Sequence, residues 1–143
     1  MPEAVRLDVS TGVGTTWIDL TRKLRDAVRA SRVKDGLAVV WCPHTTAGLL
    51  VQENTDPELR DDITRALDRL VPREGGYRHA EGNAHAHLRS LLLDTSVTLL
   101  VEAGRPVLGT WQALYLVDFD GPRSRQVLVK VVPSAPALPE ATP

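Results

Sequence analysis

At 143 residues and 43% hydrophobic composition, the chain has the size of one domain able to bury its own core without metal or disulfide staples. A formal net charge of −1 removes the global basic field that nucleic acid or an anionic membrane would attract, and a single cysteine, Cys42, excludes an intramolecular disulfide framework. No stretch reaches the roughly 18 apolar residues of a membrane span, and the first residues lack a basic region followed by an apolar core, so the expected setting is a reducing cytoplasm.

The segments "VRLDVST" and "TWIDLT" are β-leaning and flank Gly12 and Gly14, which predicts two strands around a turn, a hairpin or close to one. Thr21 is placed to cap a helix over about residues 22–33, because Leu24, Ala27, Val28 and Ser31 recur at helical spacing, with Gly36 just past its end. "LAVVWC" is a continuous apolar run, as expected for a strand covered on both faces, and it carries Cys42 as a buried, inert thiol. "TTAGLLVQE" follows as a second strand, with His44 at the join.

Asp56 followed by Pro57 is a strong helix start, since the carboxylate accepts from free amides and proline occupies a position that needs no donor. The helix should run to about Leu70, with Leu59, Ile63, Ala66, Leu67 and Leu70 as its buried stripe. "VPREGGYRHAEGN" reads as a long loop, "AHLRSLLLD" as a short amphipathic helix with Leu88, Leu91 and Leu92 inward, and "SVTLLVE", "VLGTWQALYLVDFD" and "RQVLVKVV" as strands joined by turns. The whole is an α+β single domain over residues 1–132, with a mixed, largely antiparallel sheet and helices packed on one face. Residues 133–143, rich in proline and poor in large apolar groups, are expected to be a flexible tail. Several strands are too apolar to face water, and burial against other copies of the chain would cover them.

There is no internal repeat, phosphate-loop motif or paired-cysteine zinc signature. The chemistry concentrates instead in "GYRHAEGNAHAHLRSLL", which holds His79, His85 and His87 out of a total of 4 histidines. Neutral imidazole is a common ligand for borderline metals, and one stretch carrying several reduces the entropy cost of assembling a site. If Asn83 caps the helix, His85 and His87 stand about 200° apart around its axis and cannot share a pocket. At most one of them belongs with His79. His87 borders the side marked as core by Leu88, Leu91 and Leu92, which favours the pair His79 and His87, and His85 is expected to be a solvated neighbour. His44 reads either as a further site residue or as a histidine bonded to a backbone carbonyl. Glu53 has no capping role to explain it. Thr110 and Gln112 read either as polar ladder residues or as pocket donors, Trp111 as packing, and Arg123 and Arg125 as a solvated turn or an anion clamp.

Taken together, "HTTAGLLVQENTDPELRDDI", "YRHAEGNAHAHLRSLLL" and "GRPVLGTWQALYLVDFDGPRSRQVLV" resemble the YjbQ-like family, which is associated with a secondary thiamine-phosphate synthase activity. The resemblance covers residues 5 to 132 and implies a compact α+β domain assembled as a homotrimer, with polar motif residues near subunit boundaries. It places the family's histidines on His44, His79 and His87, its acidic and amide positions on Glu53, Asn54, Glu81 and Asn83, and its late motif on Gly109, Thr110, Trp111 and Gln112. Relatives often carry aspartate where His85 stands.

The function expected from this is a transferase joining a pyrimidine diphosphate to a thiazole phosphate with release of pyrophosphate. Glu53, Glu81, Asn83 and Gln112 are the candidate catalytic residues, and Asn54, Arg78, Thr110, Arg123 and Arg125 the candidates for holding a small phosphorylated or anionic ligand. The candidate cofactor is a divalent metal, Zn²⁺ or Mg²⁺, held by His44, His79 and His87, and no organic cofactor is expected. The alternatives are a metal-dependent hydrolase or lyase with Glu53 or Glu81 as general base, and a trimeric binding protein without catalysis.

Overall fold

The computed structural model of the chain describes residues 4–136. Its first two strands part company at once. Strand β1 (Val5–Ser10) pairs antiparallel with the last strand, β8 (Ser124–Pro133), whereas β2 (Gly14–Asp19) pairs antiparallel with β7 (Gln112–Gly121). The expected β1–β2 hairpin is therefore a crossing between sheets, laid against the matching crossing from β7 to β8. The two turns touch so closely that a side chain on Gly121 would fall 1.9 Å from the carbonyl oxygen of Gly12. Thr11 fastens them, its amide donating to the Arg123 carbonyl at 2.9 Å.

With β3 (Asp35–Trp41), β4 (Ala47–Glu53), β5 (Ser96–Glu102) and the short β6 (Arg105–Pro106), the strands form a five-stranded sheet in the order β1-β8-β3-β5-β6 and a three-stranded sheet in the order β2-β7-β4. The α+β class and single domain are as expected. The sheet is split in two, and the largely antiparallel pairing that was anticipated is antiparallel throughout among the described residues.

Alternation along the strands builds two cores. Leu7, Val9, Ala38, Val40, Leu99, Val101, Val127 and Val129 face Leu49, Leu114 and Leu116, and helix α1 (Thr21–Ser31) adds Leu24, Ala27 and Val28 to the same cluster. On the opposite face of β7, Ala113, Tyr115, Val117 and Phe119 pack with Leu67 of α2 (Pro57–Leu70) and Ala86 of α3 (Ala84–Ser90). Strand β7 is covered on both sides, which is why "ALYLV" is apolar at every position. Among the described residues β3 is covered on one side only: Ala38 and Val40 are fully buried, while Leu37 and Trp41 are 41% and 46% exposed.

The local helix signals hold with changes in detail. Asp56 caps α2, accepting from the Glu58 amide at 2.9 Å, and Pro57 opens it. Of the anticipated stripe, Leu67 is buried and Leu70 lies out in solvent. Thr21 does not cap α1 with its side chain. Asp19 accepts from the Thr21 amide at 2.9 Å, and the Thr21 hydroxyl accepts from the Leu114 amide at 3.0 Å, tying the helix start to β7. Gly36 lies inside β3 opposite Pro133, so Arg32, at φ 61°, ends the helix.

In α3 the buried face is the reverse of the expected one. His85, Ala86 and Arg89 are buried, and Leu88, Leu91 and Leu92 are exposed. Small Ala86 permits close approach to β7, and Arg89 anchors the helix to the end of α2 through the Val71 carbonyl (2.9 Å) and Asp68 (3.0 Å). At the other end of the chain, β8 extends through Pro133, and the Ser134 amide donates to Asp35 at 2.9 Å. The ordered sheet thus reaches past the anticipated boundary at residue 132, and residues 137–143 of the anticipated tail lie outside the described residues. Among the described residues, no helix is long and apolar enough to cross a membrane.

Candidate functional site

β3 stops pairing with β8 at Trp41, opposite Leu128. The next outward-facing backbone of β8, at Gln126, is met by a side chain. His44 Nε2 lies 2.9 Å from the Gln126 carbonyl oxygen and 3.1 Å from its amide nitrogen, donating to the first or accepting from the second according to tautomer. The imidazole continues the ladder where the strand has turned away. Partial burial, and next the positive charge of Arg125, lower the His44 pKa below the ordinary histidine value. Nearby Cys42 is buried, and burial pushes its thiol pKa up, in keeping with an inert thiol.

His79 and His87 meet, although the leucine side that favoured His87 as the inward residue is the exposed side of α3. Their rings pack edge to face, with centroids 5.0 Å apart and planes at 76°. Glu81 reaches toward His79 at 3.8 Å, but both groups are solvated and the pair is weak. His87 borders two clefts. One, of about 360 Å³, is lined by Tyr77, Arg78, His79 and Leu88. The other, of about 590 Å³, runs past Ser90, Asp94 and Thr95 to Thr45 and His44. His44 in turn borders a third cleft of about 460 Å³ shared with Asp8, Ser124 and Arg125. His87 is thus shared by the first two clefts and His44 by the last two, and the hydroxyl groups of Thr45, Ser90 and Thr95 line the cleft between these two histidines. The three clefts together make up the histidine groove.

The histidines do not converge on a point. Among the described residues, no group of three or more His, Cys, Asp or Glu side chains is arranged to hold a metal ion. His44 is committed to Gln126, and His79 and His87 alone do not make the three-ligand centre that was expected. The residues of one chain do not fit that centre.

The other candidates divide into a network and a separate cluster. Arg125 is drawn inward, where Nε and Nη2 bind Asp118 at 2.9 and 2.8 Å and Nη2 also reaches Thr46 at 2.7 Å. Its expected role as an anion clamp gives way to a structural one. Burial raises the Asp118 pKa, but hydrogen bonds from Arg125, Thr11 and the Asp120 amide outweigh it and bring it below the usual value. Arg123 and Asn83 both bind Asp120 Oδ2, at 2.9 and 2.8 Å, so Asn83 anchors α3 to β7 and does not cap its helix with its side chain. His85, expected in solvent, is 7% exposed, and its Nδ1 is buried without a partner.

Glu53, Asn54, Thr110 and Gln112 gather at the far end of the small sheet. Glu53 stands opposite Gln112, Gln112 Oε1 accepts from the Gly109 amide at 2.8 Å, and the Asn54 amide donates to the Trp111 carbonyl at 3.1 Å. None of these four lines the histidine groove. Trp111, read as packing, is 62% exposed. Sequence reasoning missed Asp118 and Asp120, although a carboxylate inside the apolar run "LVDFD" signals a buried charge that needs a partner.

Comparison with known proteins settles the kinship. The family model described as UPF0047 protein YjbQ-like matches residues 5–134. The chain belongs to the YjbQ/UPF0047 family. It is 39% identical to the UPF0047 protein YugU of Bacillus subtilis, over 88% of this chain and 96% of that one. It is also 39% identical to a UPF0047 protein of Archaeoglobus fulgidus, over 90% and 100%. Among solved structures, an uncharacterized conserved protein of the YjbQ/UPF0047 family from Clostridium acetobutylicum superposes with a TM-score of 0.87 at 44% identity, covering 90% of this chain and 99% of that one. A YbjQ-like protein of unknown function from Sulfolobus solfataricus gives 0.88 at 29% identity, covering 92% and 97%.

Proposed function

We propose that the groove binds a small phosphorylated metabolite and that its histidines serve a group transfer of the thiamine-phosphate synthase type, the reaction class implied by the family resemblance. The observation that carries this reading is the position of His87, in ring contact with His79 and shared between the cleft of Arg78 and the cleft that runs to His44. In that reaction the thiazole nitrogen attacks the exocyclic methylene of the pyrimidine. The carbon–oxygen bond to pyrophosphate breaks, and its electron pair leaves with the oxygen. Arg78 and an imidazole N–H of His79 or His87 are the groups of the groove suited to meet that departing charge, while Thr45, Ser90 and Thr95 offer hydroxyl contacts to the bound molecule. No step is assigned to a metal.

A homotrimer belongs to the same proposal, supported by the uncovered apolar side chains of Leu37, Trp41 and Leu100 on the outer face of the large sheet. The second reading is a trimeric binding protein without catalysis. It is favoured by the loss of Arg125 to Asp118, which leaves Arg78 as the groove's uncommitted guanidinium for a pyrophosphate.

Purified protein incubated with pyrimidine diphosphate and thiazole phosphate decides between them. Pyrophosphate released in step with thiamine phosphate, and lost in His87→Ala, supports the transferase. Ligand binding with no turnover leaves the binding protein. Neither binding nor turnover overturns both.

A further inference from the structure

A second concavity, of about 600 Å³, lies away from the histidines and is lined by Arg25 and Arg29 of α1, Lys34, the Ala103–Gly104 turn, Arg105 and Pro106. Four cationic side chains contribute to it and no carboxylate does, in a chain whose formal net charge is −1. We infer that this concavity is a second anion site, taking a small soluble molecule with a chain of two or more phosphate groups.

The plain alternative is the solvated face of a basic helix. It accounts for Arg29, which lies in the last turn of α1, where a cation complements the helix dipole, and which pairs with Asp26 at 3.6 Å. It does not account for the convergence of charges from three elements. Arg25 comes from the middle of α1, Lys34 from the entry to β3 and Arg105 from the start of β6, and none of these three has an ion-pair partner among the described residues.

The backbone holds the convergence in place. Ala103 and Gly104 adopt successive positive φ values of 51° and 76°, a tight reversal that brings Arg105 back beside α1, and the Gly104 amide donates to the Lys34 carbonyl at 3.1 Å. A side chain on Gly104 would sit 3.3 Å from Lys34 Nζ, so its absence leaves the ammonium room. Left-handed backbone at a non-glycine residue such as Ala103 is strained.

The chemistry selects the ligand. Guanidinium groups bind phosphate oxygens in pairs, and an extended phosphate chain touches several cations at once, whereas a single carboxylate meets one or two. A volume of about 600 Å³ suits a metabolite. The like charges repel one another weakly through water, and a polyvalent anion relieves that repulsion while gaining attraction from each.

The test uses inorganic tripolyphosphate and the Arg78→Ala/His87→Ala protein, in which the histidine groove is disabled, so that success or failure here is separate from the proposed function. Calorimetry at low salt should show one site per chain, weakened as salt rises. Arg105→Glu and, separately, Lys34→Gln should each reduce affinity, the first at least tenfold, with unchanged circular dichroism. Absence of binding, or equal affinity in folded Arg105→Glu and its parent, overturns the inference. Co-sedimentation with phosphatidylglycerol vesicles distinguishes the source of the phosphate: association with vesicles without affinity for free tripolyphosphate also overturns it.

Discussion

Arg125 grips Asp118 through two charge-assisted hydrogen bonds of 2.8 and 2.9 Å, with 7% and 0% of the respective side chains exposed. Thr11 donates to the same carboxylate at 2.7 Å, and Thr46 takes a further bond from the guanidinium, so the end of β1, the entry to β4, and β7 and β8 are tied at one point. Removing one partner strands a buried charge. Arg125→Ala should cost about 3–5 kcal/mol of stability. Urea unfolding measures it, and a loss below about 1 kcal/mol would mean that the pair is not buried as described.

The two histidines of α3 should separate by phenotype. His87→Ala should reduce ligand affinity at least tenfold, about 1.4 kcal/mol, with the fold intact. His85→Ala should change affinity by less than about threefold, roughly 0.7 kcal/mol, and should instead lower the melting temperature because it empties a buried position. Titration of both variants with the phosphorylated ligand checks this. Loss in His85→Ala with retention in His87→Ala would reverse the assignment.

Acid should weaken the fold in two stages. Burial, followed by the charges of Arg89 and Arg73, lowers the His85 pKa, and burial with the charge of Arg125 lowers that of His44. Below about pH 6.5 the unfolded chain takes protons that the native histidines refuse, so stability falls as pH falls through that value toward the native pKa values. The carboxylates follow: Asp118 and Asp120 have native pKa values below their unfolded ones, and the stability they supply fades as pH drops below the unfolded carboxylate range. Melting temperatures from pH 8 to 4 should decline across the first stage, and less steeply in His85→Gln. A flat profile down to pH 5 would contradict the histidine contribution.

The outer face of the large sheet carries Leu37 directly opposite Leu100, and Trp41 directly opposite Leu128. If copies of the chain cover this face, Trp41→Asp with Leu100→Lys should convert the assembly into soluble monomer, because burying two charges in an apolar contact is costly. Light scattering gives the mass. A parent protein that is monomeric at micromolar concentration removes the trimer from the proposal.

Local signals in the sequence were sufficient for much of the fold. The Asp56–Pro57 helix start, the strand-length apolar runs and the α+β class follow from chemistry acting within a few residues, and the family was legible because its motifs are long and ordered. The angular separation of His85 from His87 followed from helix geometry alone. Tertiary structure decided which side of that helix faces inward: three leucines pointed one way, but Ala86 and the anchoring of Arg89 on Val71 and Asp68 turned it the other, leaving His85 buried and His87 on the groove. It also decided which sheet each strand joined, since β1 and β2 are neighbours in sequence and take partners more than a hundred residues away from one of them and nearly as far from the other. The fate of each charge was likewise nonlocal. Arg123 and Arg125 are two residues apart in a turn that reads as one motif, yet one stays at the surface and the other enters the core. Arg123 lies in the turn before β8, beside Asp120, whereas Arg125 lies inside the strand on the inward face it shares with Val127 and Val129, within reach of Asp118.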